Sequence, residues 1–286
     1  MIQFVSMDSN GDIAVTPEAM SFLGSLPTDQ KLAIVTCVGT VSSGKTQFAC
    51  RLAGAKSDNL EGLKTSGIMM WAEPVPVQKN MTMLVLDMQG IEPAQPTQLS
   101  SIKSARGIQQ PKPLATDKLM QFAALISSML VYTQRGTLDK LVDNLDPVVR
   151  FSKQLAKELE AEAGNTSMQS DDRGNLSARS VGTSLLDMTQ AIGQETQEMF
   201  CSQLFCLIKD FKQSEEDGKA GLSRKASARK QLDASLKPLP GVSSEAIRKN
   251  KTVEGLKILF SHNDAFACPN PEENANDFSS ETAKVC

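Results

Sequence analysis

The chain has 286 residues, which allows one large domain or two small ones, and its 40% hydrophobic content is enough for a sizeable core. A net charge of −3 leaves no basic bias, so nucleic acid is not a favoured partner, and 5% aromatic content points to aliphatic packing rather than stacking platforms. The six cysteines form no C-x-x-C pair and the one histidine, His262, has no cysteine at ligand spacing; this argues against zinc and for a reducing, cytosolic compartment.

Asp8 and Asp12 interrupt any N-terminal apolar core, so no signal peptide is expected. Thr16 and Pro17 read as the N-cap and first position of a short helix. Residues 32–38 are a short β-branched run and read as a buried strand, followed by a glycine loop at 39–46 and a helix that Gly54 stops. After a polar stretch at 56–64, residues 65–71 lead into a second strand, which Pro74 and Pro76 break. Residues 82–87 form another strongly apolar strand, and 92–116, rich in Pro, Gln and Ser, a mobile loop.

Residues 119–126 read as a helix and 129–132 as a strand; the apolar stretch from Leu119 to Tyr132 is too short and too polar for a membrane span. Apolar residues recur at helical spacing over 138–163. Residues 164–182 are polar and Ser-rich, a flexible insertion. Residues 204–208 form a strand, 213–237 a long charged loop and second flexible insertion, 253–260 a helix end and 265–267 a short last strand. The alternation predicts an α/β fold: a mostly parallel central sheet with helices on both faces and long insertions, forming one domain over 1–271 with a polar tail at 272–286. Cys286 ends the chain and cannot form a C-a-a-X signal; a truncation point is the expected reading.

The stretch from Gly39 to Thr46 fits G-x-x-x-x-G-K-[ST], the phosphate-binding loop. Its glycines let the backbone wrap an anion with several N–H groups aimed inward. Lys45 reaches the terminal phosphates and the Thr46 hydroxyl ligates Mg²⁺. Gly39, Ser43, Gly44, Lys45, Thr46 and Gln47 are thus candidate nucleotide-binding residues. The strand before the loop and the helix after it favour this over a chance match, because they aim a helix N-terminus at the phosphate.

Asp87 ends a buried strand and opens D-x-x-G. It can hold Mg²⁺, usually through water, and Gly90 offers a backbone N–H to a γ-phosphate. A strand-end cap is the blander reading of Asp87. Thr65 is the candidate second hydroxyl ligand to Mg²⁺, against the ordinary reading of a turn threonine. Lys209 and Asp210 follow another buried strand. A carboxylate there can accept two hydrogen bonds from guanine, each worth ~1.5–3 kcal/mol, which adenine cannot donate. A solvated strand end is the commoner reading of such a pair.

In order and spacing these segments resemble the guanylate-binding protein and atlastin branch of the dynamin-like GTPases, over about residues 13–271. Val15 to Leu23 is similar to the family's opening segment, and Thr65 to Trp71 to its switch I. Leu86-Asp87-Met88-Gln89-Gly90 resembles its L-D-T-[EQ]-G, Ser127 to Tyr132 its S-S-x-x-[VI]-Y strand, and Leu207 to Phe211 its guanine motif. The resemblance implies a Mg²⁺-dependent GTPase that dimerises through its nucleotide face. A helical region following that domain carries mechanical or membrane work in the family. The chain is expected to stop near its start, so any peripheral membrane association would run through a region outside it.

By that resemblance Lys45 and Thr65 are catalytic, Thr46, Thr65 and Asp87 are metal ligands, and Lys209 and Asp210 serve the base. Ser42 stands where the family carries an arginine finger, worth on the order of 10³–10⁵ in rate. Slow basal hydrolysis is therefore expected, unless Arg106 or Arg135 substitutes; a nucleotide-switched binding module with little or no hydrolysis is the alternative. Met88 stands for the usual Thr, and Lys209 for Arg.

Overall fold

A run of β-branched and small apolar residues places strand β3 (Lys31–Gly39) at the centre of the sheet. The computed structural model describes residues 1–8, 10–55, 65–92, 115–166, 203–214, 217 and 221–268. Alternate residues of β3 face opposite sides, as strand geometry requires. Val35 and Cys37 pack with Ala49 and Ala53 of and after helix α2 (Lys45–Leu52), whereas Val38 belongs to the larger core on the other face.

The other strands among the described residues are β1 (Ile2–Met7), β2 (Ile13–Val15), β4 (Ile68–Met70), β5 (Val75–Gln78), β6 (Met81–Met88), β7 (Met129–Arg135), β8 (Gln203–Lys209) and β9 (His262–Ala267). Their order is β2-β1-β4-β6-β3-β7-β8-β9, with β5 paired to β6. Strands β6, β3, β7, β8 and β9 run parallel. An antiparallel extension of β4, β1 and β2 continues beyond β6. The larger core is closed by α1 (Pro17–Gly24), α3 (Ala115–Ile126), α4 (Leu141–Thr166), α5 (Arg224–Ser235) and α6 (Ser244–Leu259). Helices thus cover both faces, as parallel strands require. No helix among the described residues is long and apolar enough to cross a membrane.

The register has a direct consequence for chemistry. Thr36 pairs with Leu86 and Cys37 with Asp87 on one side of β3, and Gly39 with Thr133 on the other. Arg135 pairs with Lys209 one strand further. The parallel strands therefore deliver Gly39, Asp87, Arg135 and Lys209 to one edge, where α/β sheets bind ligands.

Four local expectations need correction. The stretch 213–237 is not a continuous charged loop, because α5 occupies Arg224–Ser235. Ser223 caps it by accepting from Ala226 N at 3.2 Å, and Ala228 and Leu232, four residues apart, are buried. Its charges are a helix face: Lys230 pairs with Asp217 and Lys225 with Asp264. Residues 164–166 continue α4, so the flexible insertion does not begin at Gly164; residues 167–182, like 93–114 and 272–286, lie outside the described residues. The second strand does end before Pro74, as β4, but Pro76 sits within a further strand, β5, which among the described residues pairs with β6 and shifts register beside it, a tolerated edge position for proline. Finally, β1 and β2 are found in a segment for which no strand is expected.

Candidate functional site

At the end of β3 the chain turns into α2 through Gly44, which has φ 83 and forms the helix N-cap without a side-chain hydrogen bond. A Cβ on Gly44 would lie 2.8 Å from Lys209 Nζ, so glycine answers both to the left-handed backbone and to the close approach. The first amides of α2, on Lys45, Thr46 and Gln47, thus lack a capping side chain and form a helix terminus suited to an anion. Ser42 is exposed and holds φ 58, an uncommon conformation for a non-glycine residue. Ser43 is buried, and its Oγ lies 2.6 Å from Thr133 Oγ1 on β7.

Lys45 is only 6% exposed, and its ammonium donates to Thr40 O at 2.7 Å. Burial lowers its pKa from the ordinary 10.5, partly opposed by the Asp87 carboxylate and by Cys37. Asp87 is fully buried at the end of β6. Its Oδ2 accepts from Thr46 Oγ1 at 2.6 Å and from Thr65 Oγ1 at 3.0 Å, and the two hydroxyls lie 3.3 Å apart. Its Oδ1 is buried with no hydrogen-bond partner among the described residues. Burial raises the Asp87 pKa, while the threonine hydrogen bonds and Lys45 pull it down.

An orphaned carboxylate oxygen beside two convergent hydroxyls is a hard-oxygen donor set that fits Mg²⁺. Among the described residues no group of three or more His, Cys, Asp or Glu is placed to hold a metal ion. A cation here would therefore complete its shell with phosphate and water rather than protein alone.

The segment after Asp87 is laced onto the phosphate loop. Ile91 N donates to Gly39 O at 2.9 Å and Val41 N to Ile91 O at 3.2 Å. A Cβ on Gly90 would come within 2.6 Å of the Val41 Cα, so only glycine permits this approach. Gln89 makes a reciprocal tie with Gly67: its backbone N donates to Gly67 O at 2.9 Å and its Oε1 accepts from Gly67 N at 2.8 Å. The segments carrying Lys45, Thr65 and Asp87 are held together in this way.

The Lys209–Asp210 end lies over the start of α2. Lys209 Nζ donates to Gln47 Oε1 at 3.0 Å. Asp210, just past β8 at φ 54, accepts from Arg135 Nε at 2.7 Å through Oδ2. Arg135 is thus engaged at the Asp210 end of the site, not beside Lys45. Arg106 lies outside the described residues.

The structure brings Lys45, Thr46, Thr65 and Asp87 into one cluster and Gln47, Lys209 and Asp210 into a second beside it. Ser42 stands at the rim without a side-chain hydrogen bond among the described residues. Gln89 and Thr133 were not expected at the site, and Arg135 was expected only as a substitute for the missing arginine finger. Gln89 fills the family's [EQ] position, a signal that was present. Thr133 and Arg135 become visible only through the register of β7 against β3 and β8.

The fold and this loop define a P-loop NTPase of the GTPase-domain type. The family profile described as "Guanylate-binding protein, N-terminal domain" matches residues 10–178, and the chain belongs to that family. It is similar to human (Homo sapiens) guanylate-binding protein 3, at 29% identity over 137 residues, covering 46% of this chain and 20% of that protein. It is similar to human guanylate-binding protein 2 at 27% over 153 residues, covering 52% and 23%. Mouse (Mus musculus) guanylate-binding protein 7 aligns over 273 residues at 22%, covering 93% of this chain and 36% of that protein. The chain thus spans about a fifth of the length of the human relatives it matches.

Proposed function

We propose that this domain binds GTP with Mg²⁺, hydrolyses it slowly, and dimerises through its nucleotide face in a nucleotide-dependent way. The observation that carries the reading is the convergence of Thr46, Thr65 and the orphaned Asp87 oxygen beside Lys45. Membership of the guanylate-binding protein family supports guanine as the base.

In this reading the α2 amides and Lys45 bind the phosphates, Lys45 exchanging Thr40 O for a phosphate oxygen. Thr46, Thr65 and Asp87 would hold Mg²⁺, which would supply charge neutralisation for the phosphates. Asp210 reads the guanine edge, with Lys209 beside it. Water attacks the γ-phosphate in line, and Lys45 with the loop amides stabilises the charge that develops. Gly90 packs against Val41 of the phosphate loop and in this reading its N–H serves the γ-phosphate, while the Gln89–Gly67 tie holds the two switch segments in register.

Ser42 decides the rate. A serine at the rim supplies no cation to the leaving phosphate, and Arg135 is already engaged by Asp210. The same serine favours the second reading, a module that switches a dimer surface with GTP and barely turns it over. Single-turnover GTP hydrolysis of wild type and Ser42→Arg separates these. Slow wild-type turnover, raised on the order of tenfold or more by Ser42→Arg, is the expected result. Fast wild-type turnover to which Ser42→Arg adds nothing would contradict it. GTP-dependent dimers with no measurable turnover would favour the switch module.

A further inference from the structure

We infer that Arg135 is a positioning residue for base recognition, one that holds the Asp210 carboxylate in the orientation that reads guanine. The inference rests on the proposed role of Asp210 and adds a residue to it.

Asp210 is the first residue beyond β8, and its left-handed backbone turns it out of the strand direction. Its side chain is 22% exposed, so the carboxylate is reachable by a ligand but also free to rotate unless something holds it. Arg135 is what holds it. The parallel register sets Arg135 opposite Lys209, and Gly136 N donates to Lys209 O at 2.8 Å, which fixes the ends of β7 and β8 side by side. From there the guanidinium donates Nε to Asp210 Oδ2 at 2.7 Å. The neighbouring cation does not share this task, because Lys209 turns away to Gln47.

An ionised carboxylate offers about four lone-pair sites over its two oxygens. One is taken by Arg135. Oδ1 accepts no hydrogen bond among the described residues, and Oδ2 keeps a second site. Both N–H donors of a guanine edge can therefore be met while Arg135 stays bound. Arginine suits this because its fork is planar and stays charged, so it fixes a direction where a flexible ammonium would fix only a distance.

The experiment is calorimetric titration of the whole chain with GDP and with IDP, whose base lacks the 2-amino group. It compares wild type, Arg135→Gln, Arg135→Lys, Asp210→Ala and the double variant of Arg135→Gln with Asp210→Ala. Arg135→Gln is expected to raise the GDP Kd about fivefold, near the upper range of an exposed ion pair. It should raise the IDP Kd less, so discrimination between the two bases falls. Arg135→Lys should lie between wild type and Arg135→Gln. In the Asp210→Ala background the Arg135→Gln change should cost nothing further, because the residue acts through Asp210. An unchanged or tighter GDP Kd in Arg135→Gln would overturn the inference, and so would an equal loss with and without Asp210. Wild type that binds no GDP, or Asp210→Ala that binds it as wild type does, would overturn the underlying base site instead.

Discussion

Lys45 carries a buried charge, at some expense to stability, that the proposed phosphate contact would account for. An ammonium 6% exposed, with Thr40 O as its hydrogen-bond acceptor, is poorly solvated without a phosphate. Lys45→Met keeps similar volume and removes the buried charge. We expect that variant, free of ligand, to melt at or above wild type, while GTP no longer raises its Tm; thermal denaturation with and without GTP measures both. A ligand-free Tm well below wild type would mean that the contact with Thr40 outweighs the burial cost. The pH dependence has a definite sign. Burial lowers the folded pKa below the ordinary 10.5, so the unfolded chain holds more protons on Lys45 in the window between those values. The contribution of Lys45 to stability therefore rises as pH rises through that window, and the difference from Lys45→Met narrows. At this scale the shape of the phosphate loop and the place of Asp87 were legible because they depend on local backbone: glycines that must turn, and a carboxylate at a strand end. The contact of Arg135 with Asp210 was not legible, because the two lie 75 positions apart and only strand register brings them together.

Elements were legible where packing leaves a strong pattern and obscure where it does not. The apolar runs of β3, β6, β7 and β8 were visible because both faces of these strands are buried. Helix α5 was hidden because it buries Ser227, Ala228 and Leu232 while presenting many charges, so its composition resembles a loop. Strands β1 and β2 were hidden because only Phe4 and Val5 of the pair are buried, and pairing, of β1 with β4 and of β2 with β1, rather than composition holds them. The contact between α4 and α6 gives an element-scale test. Gly255 meets α4 so closely that a Cβ would lie 2.3 Å from Val149 Cγ1. Alanine gains up to about 1 kcal/mol of helix propensity over glycine. Overpacking costs about 1–3 kcal/mol, and valine cannot rotate away easily. The clash should win: Gly255→Ala is expected to lose about 1 kcal/mol in urea denaturation, whereas a more stable variant would show that the two helices can separate without loss.

Across the whole molecule, the parallel strands collect the chemistry at one edge while the antiparallel extension tethers the segment bearing Thr65 and Gly67. The parallel part of the sheet and the P-loop were readable from alternation and motif order, whereas the antiparallel extension was not. The finer assignment within the site was not, because it depends on side chains from β3, β6, β7 and β8 meeting in space. The central claim is that this edge is a Mg²⁺-dependent guanine nucleotide site. The most direct test is competition of unlabelled GTP and ATP against a labelled GTP analogue on the intact chain, with Mg²⁺ and with Mg²⁺ chelated. The account predicts strong preference for GTP over ATP and a marked loss of GTP affinity when Mg²⁺ is removed; equal or better competition by ATP, or binding indifferent to Mg²⁺, would contradict it.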